Sequence, residues 1–512
     1  MHPHKLFMSV VGIALLFLML LGIWSGVAIA ESRTYEPPHP RGHTPASLIV
    51  GVPFEDAGSI ENAGVIDLIL GVPDLGLIKE ENVYFSQTND AGKPEMGDLY
   101  GIAVAAGDFD RNGVYDIAIG VPGEDGWMGA VNVIYRYANG GTVQTIDLAK
   151  DITADASAGD EFGSSLVAGD FNGDGYDDLA VGAPGYHNQD GAVFVMYGGG
   201  EGGLYRDNAS RFLGSDGERF GEALAKADFD ANGVYDLVVG APEANTATYI
   251  MPIRSGRIQI LYGPLDMPFV RMVEWTQSGT GQGISETGDE FGAALIAGDF
   301  NGDGGDDLAI GAPGEDNVVD DRGAVNVLYN DGSDLSTRGA QVWLVGEDEG
   351  DWSGFALAAG DFNCDGADDL AIGSPYHDYS GTRLMEDAGE VDILFGSQTR
   401  GLTDNGWLSF GAVNARYNKY LGYALLAGDF NGDECMDLIM GIPGFSSDGH
   451  TSDGAIEIRY GTSSGDFLAP VLLTQNELAH VAAEDGDDFG YTLAALPPSH
   501  PPVYFQFTPF LY

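Results

Sequence analysis

The sequence predicts an all-β fold, a seven-bladed β-propeller whose ring is closed by its two ends, and three observations carry that expectation. An acidic block of the type "GDFNGDGYDDLAVGAP" recurs with first aspartates at 108, 170, 228, 299, 361 and 429, a mean period of about 64 residues. Strand-forming runs alternate with Gly/Asp/Asn clusters, and no long stretch after residue 30 keeps a helical period. The two ends also carry complementary fragments of the same repeat.

Taken in order, residues 1–30 read as an export signal: Lys5 precedes an apolar run from Phe7 to Ala30, with Ala28 and Ala30 in the small-residue positions of a cleavage site. The run is also long enough to be an uncleaved membrane anchor. Residues 31–46, rich in proline, read as an extended linker. "SLIVGVPFEDAGSIENAGVIDLILG" (47–71) matches a repeat without its first strand and acidic loop, and "DGDDFGYTLAAL" (485–496) matches only that first strand. Together they make a seventh blade, leaving six complete repeats between them and a tail at 497–512. The alternative is six blades with frayed ends. Each complete repeat supplies four short apolar segments, and a four-stranded sheet buries both faces only between two neighbours.

A formal net charge of −56 excludes nucleic acid and anionic membrane surfaces as partners and favours bound cations or a salty medium. Cys364 and Cys435 fall in equivalent loops of consecutive repeats. They could pair in an exported chain, but free thiols are the expectation.

The repeats resemble FG-GAP repeats, as in the propeller of integrin α subunits. The residues that carry the resemblance are Phe162-Gly163 with Gly182-Ala183-Pro184, Phe220-Gly221 with Gly240-Ala241-Pro242, and Phe291-Gly292 with Gly311-Ala312-Pro313. Elsewhere they drift, to Tyr100-Gly101 with Gly120-Val121-Pro122 and Ser353-Gly354 with Gly373-Ser374-Pro375. The resemblance covers nearly all of 47–496 and implies the propeller more firmly than any activity.

In the second copy Asp170, Asn172, Asp174 and Asp178 occupy loop positions 1, 3, 5 and 9, and Tyr176 at position 7 can offer its carbonyl. An oxygen-only set of this size suits Ca²⁺, whereas zinc would want His or Cys, which the side chains at these positions do not supply. Two carboxylates about 4 Å apart repel by roughly 4 kcal/mol, so the cluster calls for a cation. A metal-free acidic turn is the alternative. The resemblance implies calcium in each loop, at Asp108, Asp110, Asn112, Val114 and Asp116; Asp228, Asp230, Asn232, Val234 and Asp236; Asp299, Asn301, Asp303, Gly305 and Asp307; Asp361, Asn363, Asp365, Ala367 and Asp369; and Asp429, Asn431, Asp433, Cys435 and Asp437. Position 6 is glycine in five loops, as a positive φ requires, but Glu434 in the last, which puts that sixth site in doubt. Asp177, Asp306 and Asp368 at position 8 have no assigned ligand role and read as solvated.

No HExxH, G-x-S-x-G or P-loop motif is present, so an enzyme is not expected. His187 and His377 read as exposed loop histidines. The loops joining second and third strands emerge on the face opposite the acidic hairpins, and the longest bring Tyr249, Met251, Arg254, Tyr376 and Arg383 there. In integrin-like propellers that face receives ligands. Asn208-Ala209-Ser210 is a glycosylation sequon. Three readings stand: a calcium-stabilised adhesion or surface-recognition protein binding a protein or glycan, a structural envelope or assembly subunit that self-associates, and a polysaccharide- or lipid-acting enzyme.

Overall fold

The computed structural model describes residues 44–87, 93–137, 140–246, 253–267, 270–281, 283–316, 321–380, 384–398, 400–411, 420–446, 450–478 and 484–498. Seven four-stranded antiparallel sheets make up a seven-bladed propeller. In the first complete blade Val104–Gly107, Asp116–Val121, Ala130–Tyr137 and Gly140–Asp147 pair in chain order. The first strands Val104–Gly107, Ser165–Gly169, Leu224–Ala227, Ala294–Gly298, Ala356–Gly360, Leu425–Gly428 and Thr492–Leu496 each lie against the next around the ring. Second strands such as Asp178–Ala183 and Asp307–Ala312 are buried along their whole length, as expected of a strand sandwiched between two blades.

The seventh blade is assembled from both termini. Thr492–Leu496 pairs antiparallel with Ser47–Val52, from Ser47 opposite Leu496 to Gly51 opposite Thr492, and Val65–Val72 and Gly76–Ser86 complete the sheet. The linker reading is corrected at its end: Pro45 and Ala46 are buried, and the Ala46 amide donates to the Asp429 carbonyl at 2.9 Å. Residues 31–43, the signal at 1–30 and most of the 497–512 tail lie outside the described residues.

Blades pack through apolar wedges. Phe109, which follows the first loop aspartate, is fully buried among Leu179, Phe194 and Phe162 of the next blade. The glycines explain why the repeats keep their signature. A Cβ on Gly182 would lie 2.1 Å from the Gly221 carbonyl oxygen of the following blade, and the same contact recurs at all seven interfaces. A side chain at either partner would therefore push two sheets apart.

The expectation of free thiols is corrected: Cys364 and Cys435 form a disulfide, their Cα atoms 5.4 Å apart, because consecutive acidic hairpins stand side by side. The bond spans 71 residues. A crosslink of that span constrains the unfolded chain by about 2–4 kcal/mol. Reductant is expected to lower the melting temperature of the parent and to leave Cys364→Ser unchanged.

Candidate metal centres

Each complete blade turns from its first to its second strand through a nine-residue acidic loop, and all six loops share one geometry. Position 4 is left-handed at Arg111, Gly173, Ala231, Gly302, Cys364 and Gly432, with φ between 53° and 80°. Position 6 is left-handed at Gly113, Gly175, Gly233, Gly304 and Gly366, and Glu434 adopts the same conformation at φ 73°. The turn curls backbone N–H groups onto the first aspartate. Asp170 Oδ1 and Oδ2 accept from Asp174 and Gly175 at 3.2 and 2.8 Å, and Asp429 accepts from Asp433 and Glu434 at 3.2 and 3.0 Å. The loop carrying Glu434 thus keeps the arrangement of the other five. Position 5 accepts from position 7, as in Val114 to Asn112 at 2.7 Å and Cys435 to Asp433 at 3.0 Å.

The ninth residue does more than its spacing suggests. Asp116, Asp178, Asp236, Asp307, Asp369 and Asp437 are fully buried, and in every loop Oδ1 accepts an amide at the end of the third strand or just beyond it, at 2.8–3.0 Å. Each therefore ties the hairpin to the sheet as well as facing the loop. Burial pushes the carboxyls of Asp116, Asp178, Asp307 and Asp369 up to about 8, and those of Asp236 and Asp437 to about 7.

The donor set fits a hard divalent cation. Carboxylate oxygens of Asp108, Asp110 and Asp116 lie within 4.8 Å of one another, as do those of Asp228, Asp230 and Asp236. Four loops each bury a ligand-position oxygen without a hydrogen-bond partner: Asp116 Oδ2, Asp230 Oδ1, Asn363 Oδ1 and Asn431 Oδ1. Unpaired buried oxygens are costly and rare, and an oxygen-coordinated ion would satisfy them.

The position 8 aspartates are not simply solvated. Asp177 Oδ2 accepts the Asp108 amide of the preceding blade at 2.8 Å, while the Asp177 amide donates to the Asp108 carbonyl at 3.3 Å. Asp368 and Asp299 repeat both contacts at 3.0 and 2.9 Å. At these two interfaces consecutive hairpins are thus tied to one another. No spacing rule within one repeat exposes this, since both partners come from different repeats.

On the opposite face Arg254 is exposed and paired with Glu243 at 2.7 Å, whereas Tyr249, Met251 and Arg383 lie outside the described residues. Tyr376 is half-buried in a run of aromatic rings that sequence reading missed. Its neighbours are Trp352 at 5.6 Å, Phe355 at 6.1 Å and Tyr420 at 5.4 Å. The run continues through Tyr423, 4.8 Å from Phe355, to Tyr491 and then Phe54. These seven rings come from three consecutive blades and stand at strand ends away from the acidic hairpins. The reading of His377 as exposed is also corrected: it is buried, with Nδ1 3.2 Å from Asp351. His187 does remain accessible.

The ring and its loops define a class: a propeller of repeats, each with one oxygen-only acidic hairpin and a glycine contact to the next blade. Six segments, residues 100–145, 162–196, 220–251, 291–328, 353–394 and 421–456, match the FG-GAP repeat, and the chain is an FG-GAP repeat protein resembling the integrin α propeller. It is 33% identical over 215 residues to phosphatidylinositol-glycan-specific phospholipase D of Bos taurus, covering 38% of this chain and 24% of that protein. It is 38% identical over 170 residues to integrin alpha-PS5 of Drosophila melanogaster, covering 30% and 16%, and 29% identical over 167 residues to integrin alpha-4 of Xenopus laevis, covering 31% and 16%. The chain thus spans about a quarter or less of the length of these relatives.

Proposed function

We propose that this chain is an exported, calcium-stabilised recognition protein, without catalytic activity of its own, that binds a protein or glycan on the face opposite its acidic hairpins. The observation that carries the reading is the division of labour between the two faces. One face repeats the same oxygen-lined loop six times, while the other collects half-buried aromatic rings from three blades. Aromatic surfaces of this kind supply large, rigid contact area to protein partners. The apolar N-terminal run and the likeness to integrin α chains support a place at the cell surface or outside it. The hairpins hold Ca²⁺ through side-chain oxygens at positions 1, 3, 5 and 9. These ions are structural, because they sit at hairpins on the far side from the aromatic rings.

A glycan and protein-ligand array, probed with and without calcium, tests the reading. Binding is expected with calcium, and Trp352→Ala or Tyr376→Ala is expected to weaken it at least tenfold without changing the melting temperature by more than a few degrees. Self-assembly in place of ligand binding would overturn it in favour of an envelope subunit. Turnover of a polysaccharide or phospholipid panel would overturn it in favour of an enzyme.

A further inference from the structure

We infer that the rim opposite the acidic hairpins carries a second set of sites for a divalent, oxygen-seeking cation such as calcium, one at each of three blade interfaces: Glu55 with Asp487 and Gln475, Glu124 with Asp98 and Gln87, and Glu315 with Asp289 and Gln277. The three pockets are built alike. The aspartate stands two residues before the aromatic of the Phe-Gly signature, the glutamate two residues after the proline of the Gly-x-Pro signature, and the glutamine just beyond the outer strand of the preceding blade. Gly123 donates to the Asp98 carbonyl at 3.1 Å and Gly314 to the Asp289 carbonyl at 3.2 Å, which sets each glutamate beside its aspartate. All nine residues are at least nine-tenths buried.

Acidic residues gathered in a pocket do not make a site by themselves, but the glutamines add an independent sign. Gln475 Nε2 donates to Glu55 at 2.7 Å, Gln87 Nε2 to Glu124 at 2.5 Å, and Gln277 Nε2 to Glu315. That fixes each amide against its glutamate and leaves Oε1 of Gln87, Gln277 and Gln475 buried with no hydrogen-bond partner. Oδ1 of Asp98 and of Asp289 is orphaned in the same way. Each pocket therefore holds two carboxylates and a spare amide oxygen, and among the described residues no ion pair reaches any of the six carboxylates. Asp125 and Asp147 approach Glu124, but Lys150 pairs with both at 2.8 and 3.2 Å, so they are not counted as donors.

The other blades show what the pocket lacks. Where Glu218 stands at the aspartate position, Arg257 reaches it at 2.7 and 2.9 Å, and the glutamate position is Ala244. Where Asp351 stands there, the glutamate position is His377, whose Nδ1 lies 3.2 Å away. Asp160 is satisfied by the Ser157 amide and hydroxyl at 2.7 and 2.9 Å, opposite Tyr186. A protein cation or hydroxyl thus accompanies one carboxylate, and the second carboxylate occurs only where neither is supplied. A buried carboxylate pair needs a positive partner, and a single proton would serve one acceptor where an ion serves all of them.

Counting bound calcium by equilibrium dialysis decides between ion and proton. The variant Glu55→Gln/Glu124→Gln/Glu315→Gln is expected to hold three fewer ions per chain than the parent, and an unchanged count overturns the inference. Asp108→Asn, which alters a hairpin, is expected to lose ions independently, so failure of the hairpin sites and failure of these pockets give different counts. If the triple variant does not fold, crystals of the parent grown with terbium answer the question. An anomalous peak between Glu315, Asp289 and Gln277 is expected there, and its absence overturns the inference.

Discussion

Removing calcium from the six hairpins with excess chelator is expected to lower the melting temperature by about 8 °C, apart from any contribution of the rim pockets. An ion at ten times its dissociation constant stabilises the fold by about 1.4 kcal/mol, so six contribute on the order of 8 kcal/mol. For a ring of this length, unfolding entropy converts that into roughly a degree per kcal/mol. The loss is comparable with the whole stability of an ordinary domain. The buried oxygens of Asp230, Asn363 and Asn431 would be left with no partner once the ions go. Differential scanning calorimetry with and without chelator checks this. A curve that does not move would remove calcium from the hairpins. Asp170→Asn is expected to shift the curve by about one sixth as much.

Truncation after residue 484 is expected to abolish the stable monomer. It deletes Thr492–Leu496, the inner strand of the closing blade, together with Phe489, which is fully buried beside Val50, Ile439 and Ile456. It would bare the edge of Ser47–Val52 and the flank of the neighbouring blade, and exposed strand edges recruit other chains. Removing a buried phenylalanine costs about 3–5 kcal/mol by itself. Size-exclusion chromatography should show aggregate or multimer in place of the monomer. A well-behaved truncated monomer with the parental melting temperature would mean that the ring does not depend on its C-terminal strand.

Much of this was legible in the sequence because the repeat presents the same short-range chemistry six times. Aspartates at positions 1 and 9, glycine at position 6 in five of the loops and the buried run that follows are all local, so spacing alone placed the hairpins. The split blade was readable because its halves are missing complementary parts of one pattern. What escaped was whatever depends on two repeats at once. Asp177 looked solvated because its partner, the Asp108 amide, belongs to the preceding blade. Cys364 and Cys435 looked unpaired, although adjacency of their hairpins brings them together. His377 looked like a surface residue because nothing nearby in sequence announces Asp351 as its counter-ion. The aromatic run was invisible for the same reason, its rings being spread from Phe54 to Tyr491.

The pairing of Ser47 with Leu496 also dictates an order of events. Ser47–Val52 must wait for Thr492–Leu496, made after all the intervening blades, before its inner edge is covered. Contacts so distant in the chain form slowly, and an uncovered strand is prone to mispair in the interval. The intermediate blades face no such delay, because each pairs with chain made shortly before it. The blade that closes the ring is therefore expected to be the last to become native.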